Sequence, residues 1–396
     1  MAILHRWARA GTWVAVTTAL LSAAPMAAAE RIVLTSNSGS LNGIESLTAF
    51  TVKADGGLVP GAPLPVGARP EGVAITPDGR RAYVATSQSP GVRGYAIGAG
   101  GTLTPVPGSP SATGGINTTG VAVTPAGDRL LVTNRGTAMN NAVDQGSVAV
   151  YDIAPGTGTL TAVPGSPFGI TGLENPQGIA IAPDGSRVFV AGDTAGATFA
   201  PRVAVLSIAP ATGALAQVAG SPFASGGTQA FSIVISPSGG RVFVGNVSLL
   251  ASSISVLDVA AATGALTPAA GSPFPTAGRG PIALAMSADA TRLYSAERGP
   301  AAAPLAHGVS AYGISAPGAP ASLTPVAGSP FSTAGAQLQG VASTPDGRQV
   351  YGFLNADPGG VAGFSTAPGA ALAPIAGSPY PTGDRFAGFL SIAMTP

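Results

Sequence analysis

Residues 72–86 read GVAITPDGRRAYVAT, and the pattern returns as GVAVTPAGDRLLVTN (120–134), GIAIAPDGSRVFVAG (178–192) and GVASTPDGRQVYGF (340–353). Each copy is an alternating apolar segment, a Pro-Asp-Gly-type turn and a second apolar segment. The alternation marks strands with one buried face, and the turn glycine supplies the positive φ of a tight hairpin. Weaker copies run from Ser232 to Gly245 and from Ile282 to Ala296. A third strand follows each hairpin: VRGYAI, SVAVYDI, RVAVLSI, SISVLDV, VSAYGI and GVAGFST. A fourth, of the type LTPVP, leads into Gly-Ser-Pro at 108–110, 165–167, 220–222, 271–273, 328–330 and 377–379. Gly61-Ala62-Pro63 is a degenerate seventh copy, and successive leading glycines stand 47 to 57 residues apart. Four strands per repeat in a meander make one propeller blade, so an all-β, seven-bladed β-propeller of antiparallel strands is expected.

The ends of the chain complete the count. Residues 391–396 (SIAMTP) read as a first strand, whereas Arg31–Asn37 reads as a second and Ser46–Val52 as a third. The C-terminal strand should therefore pair with the N-terminal strands and close the ring, which removes its open edges. Residues 30–396 are expected to form this single domain. Residues 1–29 read as a secretory signal peptide: His5, Arg6 and Arg9 precede an apolar run, and Ala27-Ala28-Ala29 offers a cleavage site. The run is too short for a membrane span. A secreted or periplasmic protein with no membrane insertion follows.

Composition narrows the function. Gly (57) and Pro (37) make up about a quarter of the 396 residues, and charged residues only 9%, which excludes bundles and coiled coils. A hydrophobic content of 45% excludes a disordered chain. The formal net charge is +1 and Lys53 is the one lysine, so no basic patch for nucleic acid can be assembled. Beyond residue 29 there is no cysteine and one histidine, His307, so neither disulfides nor a zinc site of the usual ligands is expected. Calcium is conceivable through Glu71, Asn117 and Asn175, but three oxygen ligands on separate blades are a sparse set. Cofactors and metals are therefore not expected, and a monomer is.

The repeats resemble the YVTN-type propellers of the lactonase family, which includes 6-phosphogluconolactonase-like proteins. Leu131-Val132-Thr133-Asn134 carries that signature with Leu for Tyr, and Arg81–Ala85 and Arg241–Gly245 are looser copies. The resemblance covers nearly all of the chain beyond residue 29. It implies the propeller fold and, as activity, opening of a lactone ring. An exported protein with no dense cationic cluster is a poor match to a phosphorylated lactone.

Alignment of the repeats on their Thr-Pro equivalents places the candidate site. The second-to-third connections vary in length and should share one face with the starts of the first strands, around the channel mouth. Five residues before the threonine stand Glu71, Thr119, Gln177, Phe231, Ile282, Gln339 and Leu390. Seven before stand Arg69, Asn117, Asn175, Gln229, Gly280, Gln337 and Gly388. Second strands end near Asn37, Arg135, Asp193, Asn246, Glu297, Arg298 and Asn355. Glu71, Asn117, Arg135, Gln177, Asp193, Gln229, Arg279 and Gln339 are the candidate ligand-binding residues. Roles in satisfying loop backbone explain several of them equally well. Hydrolysis of a lactone needs a base and a cation near the carbonyl oxygen. Glu297 or His307 can serve as the base, and Arg298 or Arg279 as the cation, with Glu297, Arg298 and His307 forming the candidate catalytic set. The alternative is a non-catalytic propeller that binds a small ligand or an extracytoplasmic protein.

Overall fold

Seven repeats of alternating apolar residues fold into seven antiparallel sheets in the computed structural model. The structure describes residues 30–38, 45–136, 146–194, 200–248, 251–299, 307–316, 318–333, 336–356, 359–367, 371–383 and 387–396, of which 387–390 are described in backbone only. The signal-peptide expectation, together with much of the loops around 137–145, 195–199 and 300–306, lies outside them. Blade one comprises Pro70–Ile75, Arg81–Thr86, Gly91–Ile97 and Leu103–Pro105 in spatial order from first to fourth strand. Blades two to six start at Thr118, Asn175, Gln229, Pro281 and Gln337 and repeat that order. In blade seven the first strand is Ala387–Met394, and it pairs antiparallel with Ile32–Asn37, the second strand. Ser46–Val52 and Leu58–Pro60 continue the sheet, so the expected closure is present.

The core is divided among the blade junctions. Seven clusters of buried apolar residues each join two neighbouring blades, and none joins blades further apart. Both faces of every sheet are thereby covered, which is why the second strands read as continuous apolar runs such as Leu130-Leu131-Val132. At the centre the first strands approach one another closely. A Cβ on Gly72, Gly120 or Gly178 would lie 2.5, 2.4 or 2.8 Å from the carbonyl oxygen of Thr119, Gln177 or Phe231 on the next blade.

The arginine that opens most second strands ties each blade to the next. Arg129 donates to Pro210 O (2.9 Å), Arg187 to Ala261 O (3.0 Å), Arg241 to Ala319 O (2.6 Å) and Arg292 to Ala367 O (3.1 Å); Arg81 donates to Gly156 O. All these acceptors lie between the third and fourth strands of the following blade. Part of the scarce charge is thus structural, a use that the repeat alignment alone does not show.

The fourth strand differs from the expectation. It does not end at Gly-Ser-Pro but resumes after it as a two-residue piece, such as Ser111–Ala112 or Phe168–Gly169, that pairs with the start of the third strand. The tripeptide is the bulge between the two halves. Its glycines take φ of 78–91° and its Ser-Pro peptide is cis. The serine Oγ accepts the third-strand N–H that the bulge leaves over: Gly94 N to Ser109 (3.0 Å), Val150 N to Ser166, Val205 N to Ser221 and Val256 N to Ser272 (2.9 Å each). Blades five and six repeat this through Ser329 and Ser378.

Candidate functional site

First strands begin, and second strands end, on the same face, and the repeat positions beside the channel fall into two chemical halves there. On blades one to three they carry Glu71, Thr119 and Gln177, and on blade six Gln339; on blades four and five they carry Phe231 and Ile282. Arg135 is the centre of the polar half. Its backbone N–H bonds Asn117 O (3.2 Å), and Asn117, at φ 53°, also donates from Nδ2 to Gly136 O (3.0 Å). Asn117 therefore clamps the backbone that aims Arg135, and its amide N–H is used in doing so.

The Arg135 side chain crosses to blade three. Nε donates to Asn175 Oδ1 (2.7 Å). The Gln177 amide lies alongside and, with Oε1 turned to the guanidinium, accepts from Nη2 and Nε at 3.1 and 3.2 Å. Burial holds the arginine below its ordinary pKa; Glu71 and Asp193 raise it and Arg69 lowers it. Those three charges therefore share the environment of Arg135. Glu71 is buried, with Oε1 3.1 Å from Arg69 Nε and accepting from Ser87 Oγ (3.1 Å). Asp193 is 1% exposed, and its Oδ1 accepts from Ala230 N (3.2 Å). Burial pushes its pKa up to about 6, against the pull of that N–H and of Arg135.

Of the sequence-selected residues, Glu71, Asn117, Arg135, Gln177 and Asp193 come together here. Gln229 on blade four and Arg279 ahead of blade five are exposed. Gln339 on blade six is buried, with Oε1 lacking a hydrogen-bond partner among the described residues. Arg69, Asn175 and Ser87 also belong to the group and were not selected. Arg69 and Asn175 stand seven residues before the threonine in the repeat alignment, but Ser87 carried no signal beyond its loop.

The blade-five set is arranged differently. Arg298 is the repeat equivalent of Arg135, since its N–H bonds Gly280 O (3.0 Å), and Gly280 stands where Asn117 does. His307 is buried at the start of the third strand. Glu297 is fully buried and pairs in register with Pro281 and Gly308. Tyr312 Oη donates to its Oε1 (3.4 Å), and Oε2 has no hydrogen-bond partner among the described residues. Burial raises its pKa to about 7, partly offset by the hydroxyls of Ser295, Ser310 and Tyr312. The fourth-to-first loop covers it, because a Cβ on Gly278 would lie 2.6 Å from Glu297 Cγ.

No group of three or more metal-ligating side chains of the His, Cys, Asp and Glu types occurs among the described residues, and no helix there is long and apolar enough to cross a membrane. On the opposite face, a cleft of about 980 Å³ between blades five and six is lined by Asp289, Arg292, Asp346 and Arg348, and holds none of the selected residues.

Comparison with known proteins agrees with this architecture. Residues 42–226 match the family described as "Lactonase, 7-bladed beta-propeller". No curated protein matches the chain in sequence. Among solved structures, the Pseudomonas aeruginosa periplasmic gluconolactonase superposes with a TM-score of 0.70 at 18% identity, over 92% of this chain and 99% of that one. A Bacteroides fragilis protein provisionally assigned as a 6-phosphogluconolactonase gives 0.70 at 16%, over 93% and 98%. A Lactobacillus plantarum protein gives 0.64 at 17%, over 93% and 99%. At these identities the structural likeness speaks for the fold alone. Residues 42–226 thus match the lactonase seven-bladed β-propeller family in sequence, and residues 31–396 fold as a seven-bladed β-propeller.

Proposed function

We propose that this chain is an exported, metal-independent hydrolase that opens a small lactone at the channel mouth over blades one to three. The observation that carries the proposal is that Asp193, whose pKa stands at about 6, shares its electrostatic environment with the half-buried guanidinium of Arg135. A carboxylate poised near neutral pH takes a proton from water, and the resulting hydroxide attacks the lactone carbonyl. Arg135 stabilises the oxyanion, and the ring C–O bond breaks as the leaving oxygen regains the proton from Asp193. The likeness to a periplasmic gluconolactonase and the basic, apolar, small-residue order of residues 1–29 support export to the periplasm or beyond.

Hydrolysis of a lactone panel by purified protein tests this. Asp193→Asn should lower kcat/KM by roughly 10²–10⁴-fold, and Arg135→Gln should lower it comparably. The wild-type rate should rise with pH through about 6, as Asp193 ionises. A loss confined to Glu297→Gln and His307→Ala would move the chemistry to blade five, with Arg298 as the cation. If no lactone is hydrolysed while a ligand binds over blades one to three, the propeller is a binding module.

A further inference from the structure

We propose that Glu71 makes the channel mouth selective for uncharged lactones and excludes phosphorylated ones, an inference that rests on reading the mouth as a lactone site. Its basis is how the two guanidinium groups there are engaged. Arg69 stands 3.1 Å from Glu71, and Arg135 donates to Asn175 and lies against the Gln177 amide, with Glu71 and Asp193 acting on it. Two arginines and two carboxylates leave the group with no surplus charge once Asp193 is ionised. The positions five before the threonine, Thr119, Gln177, Phe231, Ile282, Gln339 and Leu390, add no cation, and Arg279 and Arg298, also on this face, stand at blade five.

A lactone carbonyl needs a single N–H from Arg135. A phosphate dianion needs several cationic donors to offset its desolvation, and here it would meet carboxylates beside the guanidinium groups. Glu71 is fixed in that place. Ser87 Oγ donates to its carboxylate, Ser36 Oγ of blade seven donates to its backbone carbonyl, and the side chain is buried. Its carboxylate cannot swing out to make room for an anion without breaking its contacts with Ser87 and Arg69.

The test compares kcat/KM for D-glucono-1,5-lactone and for its 6-phosphate, in wild type, Glu71→Gln and Glu71→Asp. The wild type should favour the uncharged lactone at least about tenfold. Glu71→Gln should reduce that ratio by about tenfold, and Glu71→Asp, which keeps the charge, should retain it. A wild type that favours the phosphate ester, or one ratio shared by all three proteins, overturns the inference. Calorimetry with D-gluconolactam and its 6-phosphate, which resist hydrolysis, separates the two proposals. Selective lactam binding that Glu71→Gln abolishes, without hydrolysis of any lactone, upholds the selectivity and removes the hydrolytic reading. Binding of neither lactam removes the selectivity.

Discussion

Glu297 occupies the place that asparagine fills in blades two, four and seven. Asn134 donates to Ser147 Oγ (3.1 Å), Asn246 to Ser253 (3.1 Å) and Ser255 (2.8 Å), and Asn37 to Ser46 (2.9 Å) and Thr48 (3.1 Å). In blade five the hydroxyls are those of Ser295 and Ser310, but a carboxyl meets them. A protonated carboxyl can donate as the amide does, and an ionised one cannot. Glu297 has a pKa of about 7 in the folded chain against 4.5 for an ordinary glutamate, so folding takes up a proton between those values. Its contribution to stability is full below about pH 4.5, falls as pH rises, and is lost above about pH 7. The difference is about 3 kcal/mol. Glu297→Gln should therefore stabilise the protein at pH 8 and change little at pH 4, as measured by urea denaturation at both values. An equal effect at the two pH values would show that ionisation is not involved. Charge scarcity singled out Glu297 in the sequence, and its equivalence to the signature asparagine was equally legible there. That the side chain lies under Gly278 was not, because the fold of the fourth-to-first loop leaves no periodic trace.

At the scale of the element, legibility follows length. First, second and third strands span six to eight residues and announce themselves by alternation or by apolar runs. The second half of the fourth strand is two residues long, too short for any period to register. What marks it is Gly-Ser-Pro, whose recurrence counted the blades while its role as a bulge needed coordinates. Ser166→Ala should destabilise the protein by about 1–3 kcal/mol, because it leaves the Val150 N–H without its acceptor in a buried position. Thermal or denaturant unfolding checks this, and Ser166→Thr should recover part of the loss by restoring the hydroxyl. The fourth strands also carry Pro60, Pro105, Pro268, Pro325 and Pro374, each at the outer margin of its sheet. Proline offers no N–H for a further strand, so the outer edges of these five blades disfavour edge pairing.

Across the whole molecule, stability is shared among seven equivalent junctions, each with an apolar cluster and most with an arginine reaching forward. Removing residues 387–396 deletes the first strand of blade seven and uncovers Ile32–Asn37, together with the inward faces of blades six and one. The truncated protein should elute as aggregates in size-exclusion chromatography, and a soluble monomer would contradict the role assigned to that strand. The ring and its closure were legible in the sequence because every blade repeats the same code. The division of the mouth into a polar half and an apolar half was legible as well. The partners of Arg135 were not, since they lie on three blades and are set by the curvature of the ring.

The closing pair joins Ile32 to Thr395, 363 residues apart, through two hydrogen bonds of 2.8 and 2.9 Å. Every other sheet is built from hairpins between consecutive strands. Assembly therefore has two tempos: six blades form from neighbours in the chain, and the seventh waits on the closure of a loop as long as the domain itself. Through that interval Ile32–Asn37 has lost its disorder on one side and gained nothing on the other. The blade that the chain begins is the last to be completed.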